Sequence, residues 1–209
     1  MAMTSRTSIL KFFSLLICSL AIAKMAIAGD PDILTDFMAP PNGTVDGNFF
    51  TYTGMRVILQ DEPKNFTVLK ATSAEFPALN GQSVSYAVLF FTPGTINPPH
   101  THPRSAELLF LVGGTLEVGF VDTKNNLFTQ TLQSGDMFVF PKGLVHFQYN
   151  ADSENPAIAI SAFGSASAGT VSIPSTLFAT NIDDNILALS FKTDVATVQK
   201  LKASFAPKP

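Results

Sequence analysis

Between residues 49 and 163 the chain is a succession of short apolar stretches broken by turn residues. Residues 83–91 begin with polar/apolar alternation and stop at Thr92-Pro93-Gly94. Residues 107–112 are mostly apolar and end on Gly113-Gly114, and 115–121 alternate up to a turn at Lys124-Asn125-Asn126. Residues 128–132 run into Ser134-Gly135-Asp136, 137–140 stop at Pro141-Lys142-Gly143, and 145–149 and 157–163 follow. Short segments at this spacing, with Gly, Pro and Asn between them, predict an all-β sandwich or barrel. No strand–helix alternation points to a parallel α/β sheet. The period then changes. Asp183-Asp184 is placed to cap a helix over 185–191, and Thr193 or Asp194 a second one running to Phe205. In the second, Val195, Val198, Leu201 and Phe205 recur at helical spacing, an apolar stripe that must be covered by the barrel or by a neighbouring subunit.

The first residues follow a different logic. Arg6 and Lys11 precede a nearly unbroken apolar run over 12–23, and Ala26-Ile27-Ala28 is a small-x-small cleavage pattern. This predicts a secretory signal peptide over 1–28 and a mature chain from Gly29. The apolar run is short of the ~20 residues a spanning helix needs, and no later segment supplies one. Loss of the leader removes Arg6, Lys11 and Lys24 and no acid, leaving ten basic and sixteen acidic residues, a net charge of −6. It also removes Cys18, the chain's one cysteine, so the mature protein has neither a disulfide nor Cys chemistry.

Composition narrows the rest. Of 209 residues, 46% are apolar and 14% charged, with nineteen Phe and no Trp. That composition excludes a disordered chain. A pI near 5.5 and the lack of a Lys/Arg run argue against a nucleic-acid partner. Two sequons, Asn42-Gly43-Thr44 and Asn65-Phe66-Thr67, are candidate glycosylation sites at Asn42 and Asn65.

The candidate chemistry lies in three histidines. His100 and His102 sit in Pro98-Pro99-His100-Thr101-His102-Pro103; on an extended chain, positions i and i+2 face one side. Glu107 is five residues beyond His102, an odd separation that on one straight strand faces the other way. The spacing therefore predicts a bend or bulge between them, with Pro103 marking it. His146 follows Pro141-Lys142-Gly143, and two neighbouring strands could gather all four side chains. Three imidazoles and one carboxylate suit Mn, Fe, Ni or Zn, and the lack of thiolates argues against a structural zinc site. With six coordination positions, two stay open for water, an oxygen species or substrate. The alternative is three unconnected surface or core histidines.

Gly94-Thr95-Ile96-Asn97-Pro98-Pro99-His100-Thr101-His102-Pro103-Arg104-Ser105-Ala106-Glu107, continued by Gly114 and Gly119, resembles the first cupin motif in its germin form. Gly135-Asp136-Met137-Phe138-Val139-Phe140-Pro141-Lys142-Gly143-Leu144-Val145-His146-Phe147 resembles the second. Asp30-Pro31-Asp32-Ile33-Leu34-Thr35-Asp36-Phe37 and Asn48-Phe49-Phe50-Thr51 are similar to the mature start of plant germin-like proteins. The resemblance spans essentially the whole chain. It implies a signal peptide over 1–28, an extended segment over 29–48, a single cupin jelly-roll barrel over 49–175 and a helical oligomerisation segment over 176–209. It implies Mn(II) on His100, His102, Glu107 and His146, a hexamer built as a trimer of dimers, and residence in the plant apoplast or cell wall. Family activities include superoxide dismutase and oxalate oxidase, both acting on small anions and yielding hydrogen peroxide; other members are nutrient reservoirs or binding proteins.

Two departures from the family pattern matter. The N-terminal cysteine pair is absent, so that segment must be held otherwise. Oxalate oxidases of the family place a substrate-holding asparagine thirteen residues before the first ligand histidine; here that residue is Ala87, whereas the second family asparagine is matched by Asn97. Losing a donor to a buried carboxylate costs about 1–3 kcal/mol. The order that follows is superoxide dismutation first, oxalate oxidation second, and a non-enzymatic binding or reservoir role third.

Overall fold

A computed structural model describes residues 29–59 and 63–206. The expected signal peptide, with Cys18 and its cleavage site, lies outside the described residues. Ten strands form two antiparallel five-stranded sheets. In chain order they are β1 (Thr67–Ala71), β2 (Ser85–Phe91), β3 (Ile96–Thr101), β4 (Glu107–Gly113) and β5 (Thr115–Val121), then β6 (Leu127–Gln133), β7 (Met137–Phe140), β8 (Val145–Tyr149), β9 (Ala157–Phe163) and β10 (Val171–Ser172). The sheets are ordered β1-β2-β9-β4-β7 and β10-β3-β8-β5-β6, the arrangement of a jelly roll. Four strands, β5, β7, β8 and β9, coincide with the segments read from the sequence. β1 and β10 were not legible there.

The inner faces follow the strand period of two. Glu107, Leu109 and Leu111 of β4 point inward while Leu108, Phe110 and Val112 point out. Leu89, Phe91, Leu109, Leu111, Leu116, Val118, Leu132 and Phe140 close one end of the interior as an apolar core. Each such side chain contributes roughly 1.5–3 kcal/mol by leaving water. His100, Glu107, His146, Gln148 and Ser161 occupy the other end. Asn150, buried just beyond β8, donates to the carbonyls of Phe91, Thr92 and Asn155 and so ties the β2 and β8 exits together. Gly114 turns the chain from β4 into β5 at φ +83°, with the Pro156 carbonyl 2.5 Å from where a Cβ would sit. A side chain there meets both strain and a clash.

The outer face of the first sheet stays apolar and exposed. Leu108 and Val139 stand opposite each other in register, as do Phe110 and Met137, and all four are at least 37% exposed.

The N-terminal segment is held by polar and aromatic contacts. The Asp30 carboxylate accepts from Ser165 Oγ and the Ala166 N–H, both at 2.6 Å. Gln82 donates to the Asp36 carbonyl, and Phe37, Phe49 and Phe50 form an edge-to-face cluster. Tyr52 stacks on Phe76 and its hydroxyl donates to the Lys70 carbonyl.

Three helices follow the barrel, where the sequence pattern predicts two: α1 (Ile173–Phe178), α2 (Asp184–Phe191) and α3 (Val195–Phe205). α1 carries Pro174 in its first turn, a position Pro favours. Asp183 caps α2 through the N–H groups of Asn185 and Ile186, and Asp194 caps α3 through Thr197. Asp184 pairs with Lys202 at 2.6 Å, which links the two helices. Leu187, Ala188 and Val198 make a small second core with Leu177, Phe178, Ile182 and Val195. The predicted stripe is only partly covered: Val198 is buried, but Leu201 and Phe205 are 40% and 36% exposed. No helix among the described residues is long and apolar enough to cross a membrane.

Candidate metal centre

Both sheets build the centre, not two neighbouring strands. His100 of β3 stands directly opposite His146 of β8 in the second sheet. Glu107 opens β4 in the first sheet, between Phe163 and Phe140 in register. His102 lies one residue past the end of β3, as the chain begins to cross between sheets. That crossing, rather than a bulge within one strand, reverses the direction expected of Glu107. A bulge does occur, but earlier. Asn97 pairs with Gln148 and His100 with His146, so three steps on β3 match two on β8. Pro98 and Pro99, which carry no N–H for the ladder, occupy the extra length and leave Asn97 and His100 on the same side.

One donor atom from each of His100, His102, Glu107 and His146 lies within 4.8 Å of the others, and all four residues are buried. His102 Nε2 and His146 Nε2 are each 3.0 Å from Glu107 Oε2. The other nitrogen of every ring faces a backbone carbonyl: His100 Nδ1 to Pro98 at 2.8 Å, His102 Nδ1 to Gly169 at 2.5 Å, His146 Nδ1 to Leu144 at 2.9 Å. A carbonyl only accepts, so each Nδ1 carries its proton and each neutral ring turns an Nε2 lone pair inward. Three lone pairs and a carboxylate oxygen then face one another, and a cation among them satisfies all four.

The surroundings fix these orientations. Glu107 Oε1 accepts from Ser161 Oγ at 2.6 Å and from Gln148 Nε2 at 3.2 Å, which leaves Oε2 to face the imidazoles. Gln148 Oε1 in turn accepts from Asn97 Nδ2 at 2.7 Å. Phe140 stacks on the His146 ring, and Phe163 meets His102 edge-on. Burial alone pushes the Glu107 carboxyl up, but its contacts with the His102 and His146 rings and the hydrogen bond from Ser161 outweigh burial and hold the group at about 2. Burial, assisted by the neighbouring His146, pushes His100 down to about 4, so its ring is a ready neutral ligand. A cavity of about 380 Å³ opens over His100, His102 and Glu107 toward solvent, bounded by β1, β2, β9 and the 167–170 loop.

The cupin family model matches residues 58–199. Germin-like protein 9-3 of Oryza sativa subsp. japonica is 60% identical over 210 residues, covering 96% of this chain and 97% of the relative. This chain belongs to the germin-like proteins of the cupin family. Among solved structures, an oxalate oxidase superposes with a TM-score of 0.74 at 32% identity, over 85% of this chain and 98% of the other. A recombinant oxalate oxidase in complex with glycolate gives 0.74 at 30%, with the same coverage.

In this germin-like cupin the four residues form a buried His3Glu metal site. Nitrogen and oxygen donors fit a divalent first-row ion. Asn97 lines the cavity beside His100, and Ala87 lines the wall of β2. Gln148 and Ser161 were not singled out from the sequence. Gln148 carries a faint signal, two residues past His146 on the same strand face; Ser161 carries only its polarity among the inward apolar positions of β9. Asn42 and Asn65 are both exposed and outside the strands, Asn65 just before β1.

Proposed function

We propose that this protein is a secreted manganese cupin of the plant apoplast or cell wall that dismutates superoxide, releasing oxygen and hydrogen peroxide. The observation that carries the reading is the convergence of three imidazole lone pairs and one carboxylate oxygen at the floor of an open cavity. A redox-active ion held there supplies one-electron chemistry by alternating between two oxidation states. The chain's own residues do the rest. The Pro98, Gly169 and Leu144 carbonyls hold the ring tautomers, Ser161 and Gln148 hold Glu107 to one oxygen, and the cavity admits a small anion to the exposed side. Oxalate oxidation is the second reading, favoured by the similarity to solved oxalate oxidases and weakened by Ala87, which offers no donor to a second carboxylate.

The leader pattern over 1–28 and the exposed sequons at Asn42 and Asn65 support secretion and glycosylation. The uncovered faces of the first sheet and of the tail support assembly with further copies of this chain, as a hexamer of three dimers. The test is the protein purified from a plant secretory host and loaded with manganese, beside Glu107→Gln. The expected result is superoxide consumption lost in the variant, with no peroxide from oxalate. Peroxide from oxalate overturns it in favour of the second reading; bound metal with neither turnover favours a binding or reservoir role.

A further inference from the structure

Two of the three ligand rings are set by their own strands. His100 Nδ1 and His146 Nδ1 each face the carbonyl two residues earlier, at Pro98 and Leu144. His102 is different. Its Nδ1 faces the Gly169 carbonyl, 67 residues along the chain, at 2.5 Å. Gly169 belongs to the stretch 164–170 that links β9 to β10, and residues 167–170 line the cavity. Its φ is +71°, and a Cβ there would stand 2.8 Å from Arg104 Nη2, so this turn of the chain requires glycine. Arg104 fastens the stretch to the segment that carries His102 itself. Its Nη2 donates to Ser167 Oγ at 3.1 Å, and its backbone N–H to the Ala168 carbonyl at 3.2 Å. Those bonds move with His102; the fixed point lies at the other end of the loop.

There the Asp30 carboxylate accepts from Ser165 Oγ and from the Ala166 N–H, both at 2.6 Å. Ser165 is buried, and its Oγ also accepts from the Ser167 N–H at 3.1 Å, which passes the anchor along the loop. The carbonyls of Ser165 and Ala166 take neutral donors, Ser85 Oγ and the Ser73 N–H. A carboxylate acceptor makes a hydrogen bond roughly twice as strong as a neutral one. Residues 29–48 contain no cysteine, so no disulfide shares the work. We propose that Asp30 is a positioning residue for the metal centre: the N-terminal segment straps the 165–170 loop, and the loop fixes the His102 ring through the Gly169 carbonyl. The inference rests on the metal centre described above. Release of Asp30 loosens the loop, lets the His102 ring turn, and leaves His100, Glu107 and His146 to hold the ion for part of the time.

The test uses the full secreted protein, with the mass of each variant confirming the same processed start. Asp30→Ala removes the anchor, and Ser165→Ala removes its first donor. Gln82→Ala is the control, because it frees the same segment at the Asp36 carbonyl, away from the loop. Manganese-loaded protein is placed in excess chelator and the loss of metal is timed. Asp30→Ala is expected to lose manganese about tenfold faster than wild type, Ser165→Ala to change in the same direction, and Gln82→Ala to keep the wild-type rate. A second readout needs no metal: the ring-nitrogen NMR shifts of the three histidines in stripped protein. Asp30→Ala is expected to move His102 alone from the Nδ1–H form to a mixture of tautomers. Asp30→Asn, which keeps one oxygen acceptor, restores most of the difference. Metal loss at the wild-type rate in Asp30→Ala, an unmoved His102 signal, or equal acceleration in Gln82→Ala overturns the proposal and leaves the metal centre standing. A wild type that takes up no metal overturns the centre, and the proposal with it.

Discussion

In the barrel, Phe91, Leu109, Leu111, Leu116, Val118 and Phe140 are wholly buried, whereas in the tail Leu189 is 81%, Ile186 58% and Phe191 51% exposed. Both regions are written in the same language of apolar periodicity. The difference is that a strand pair faces a second sheet of its own chain, while α2 and α3 pack mainly against each other and α1. The barrel therefore completes its core alone. The tail completes a core of three buried residues and leaves several of its remaining apolar side chains exposed. The barrel interior thus gathers the four metal-ligand residues, and the tail leaves apolar side chains uncovered.

The contrast can be broken most strongly from the barrel side. Phe91→Ala removes a wholly buried ring and is expected to lower unfolding stability by about 3–5 kcal/mol. Leu189→Glu, on the exposed side of α2, is expected to change the stability of an isolated chain by less than about 0.5 kcal/mol while shifting its sedimentation toward smaller species. Equal destabilisation by the two, in chemical denaturation of the dissociated chain, would erase the distinction between the regions.

A smaller effect sharpens the comparison within the barrel, between its apolar end and its ligand end. Burial and the neighbouring His146 hold the His100 ring at about 4 in the folded chain, against an ordinary 6.5. Below pH 6.5 the unfolded chain takes up a proton that folded His100 still refuses. Stability of the metal-free protein therefore falls as pH drops from 6.5 toward 4, by up to about 3 kcal/mol, and this contribution is constant above 6.5. Thermal midpoints of the stripped protein across that window check it, and His100→Gln should flatten the slope. Glu107, held at about 2, stays ionised throughout the same window.

Legibility in the sequence followed the same division between local and long-range. Strands whose alternation was clean and whose turns carried Gly or Pro were read at their observed limits, as at 115–121 and 157–163. β1 was hidden because its pattern, Thr-Val-Leu-Lys-Ala, puts Lys70 at an inward position at the cavity mouth and breaks the alternation. α1 was hidden because Ile173-Pro174-Ser175-Thr176 reads as loop chemistry until the Pro is placed in the first turn. The caps at Asp183 and Asp194 depend on neighbours two and three residues away and were legible. The four ligand residues were legible because their types and spacing are unusual together. Their geometry was not, because it depends on β4 joining the opposite sheet from β3 and β8, a pairing no local pattern encodes. Ser161 and Gln148 meet Glu107 only through that pairing.

Four converging acceptor atoms at one end of the barrel interior are built to hold a cation. Elemental analysis of the protein purified from a plant secretory host, scaled to the protomer, tests it beside a His146→Ala variant shown to be folded. About one manganese per chain in the wild type and none retained by the variant is the predicted result. No metal in the wild type, or a metal content indifferent to His146, would contradict the account.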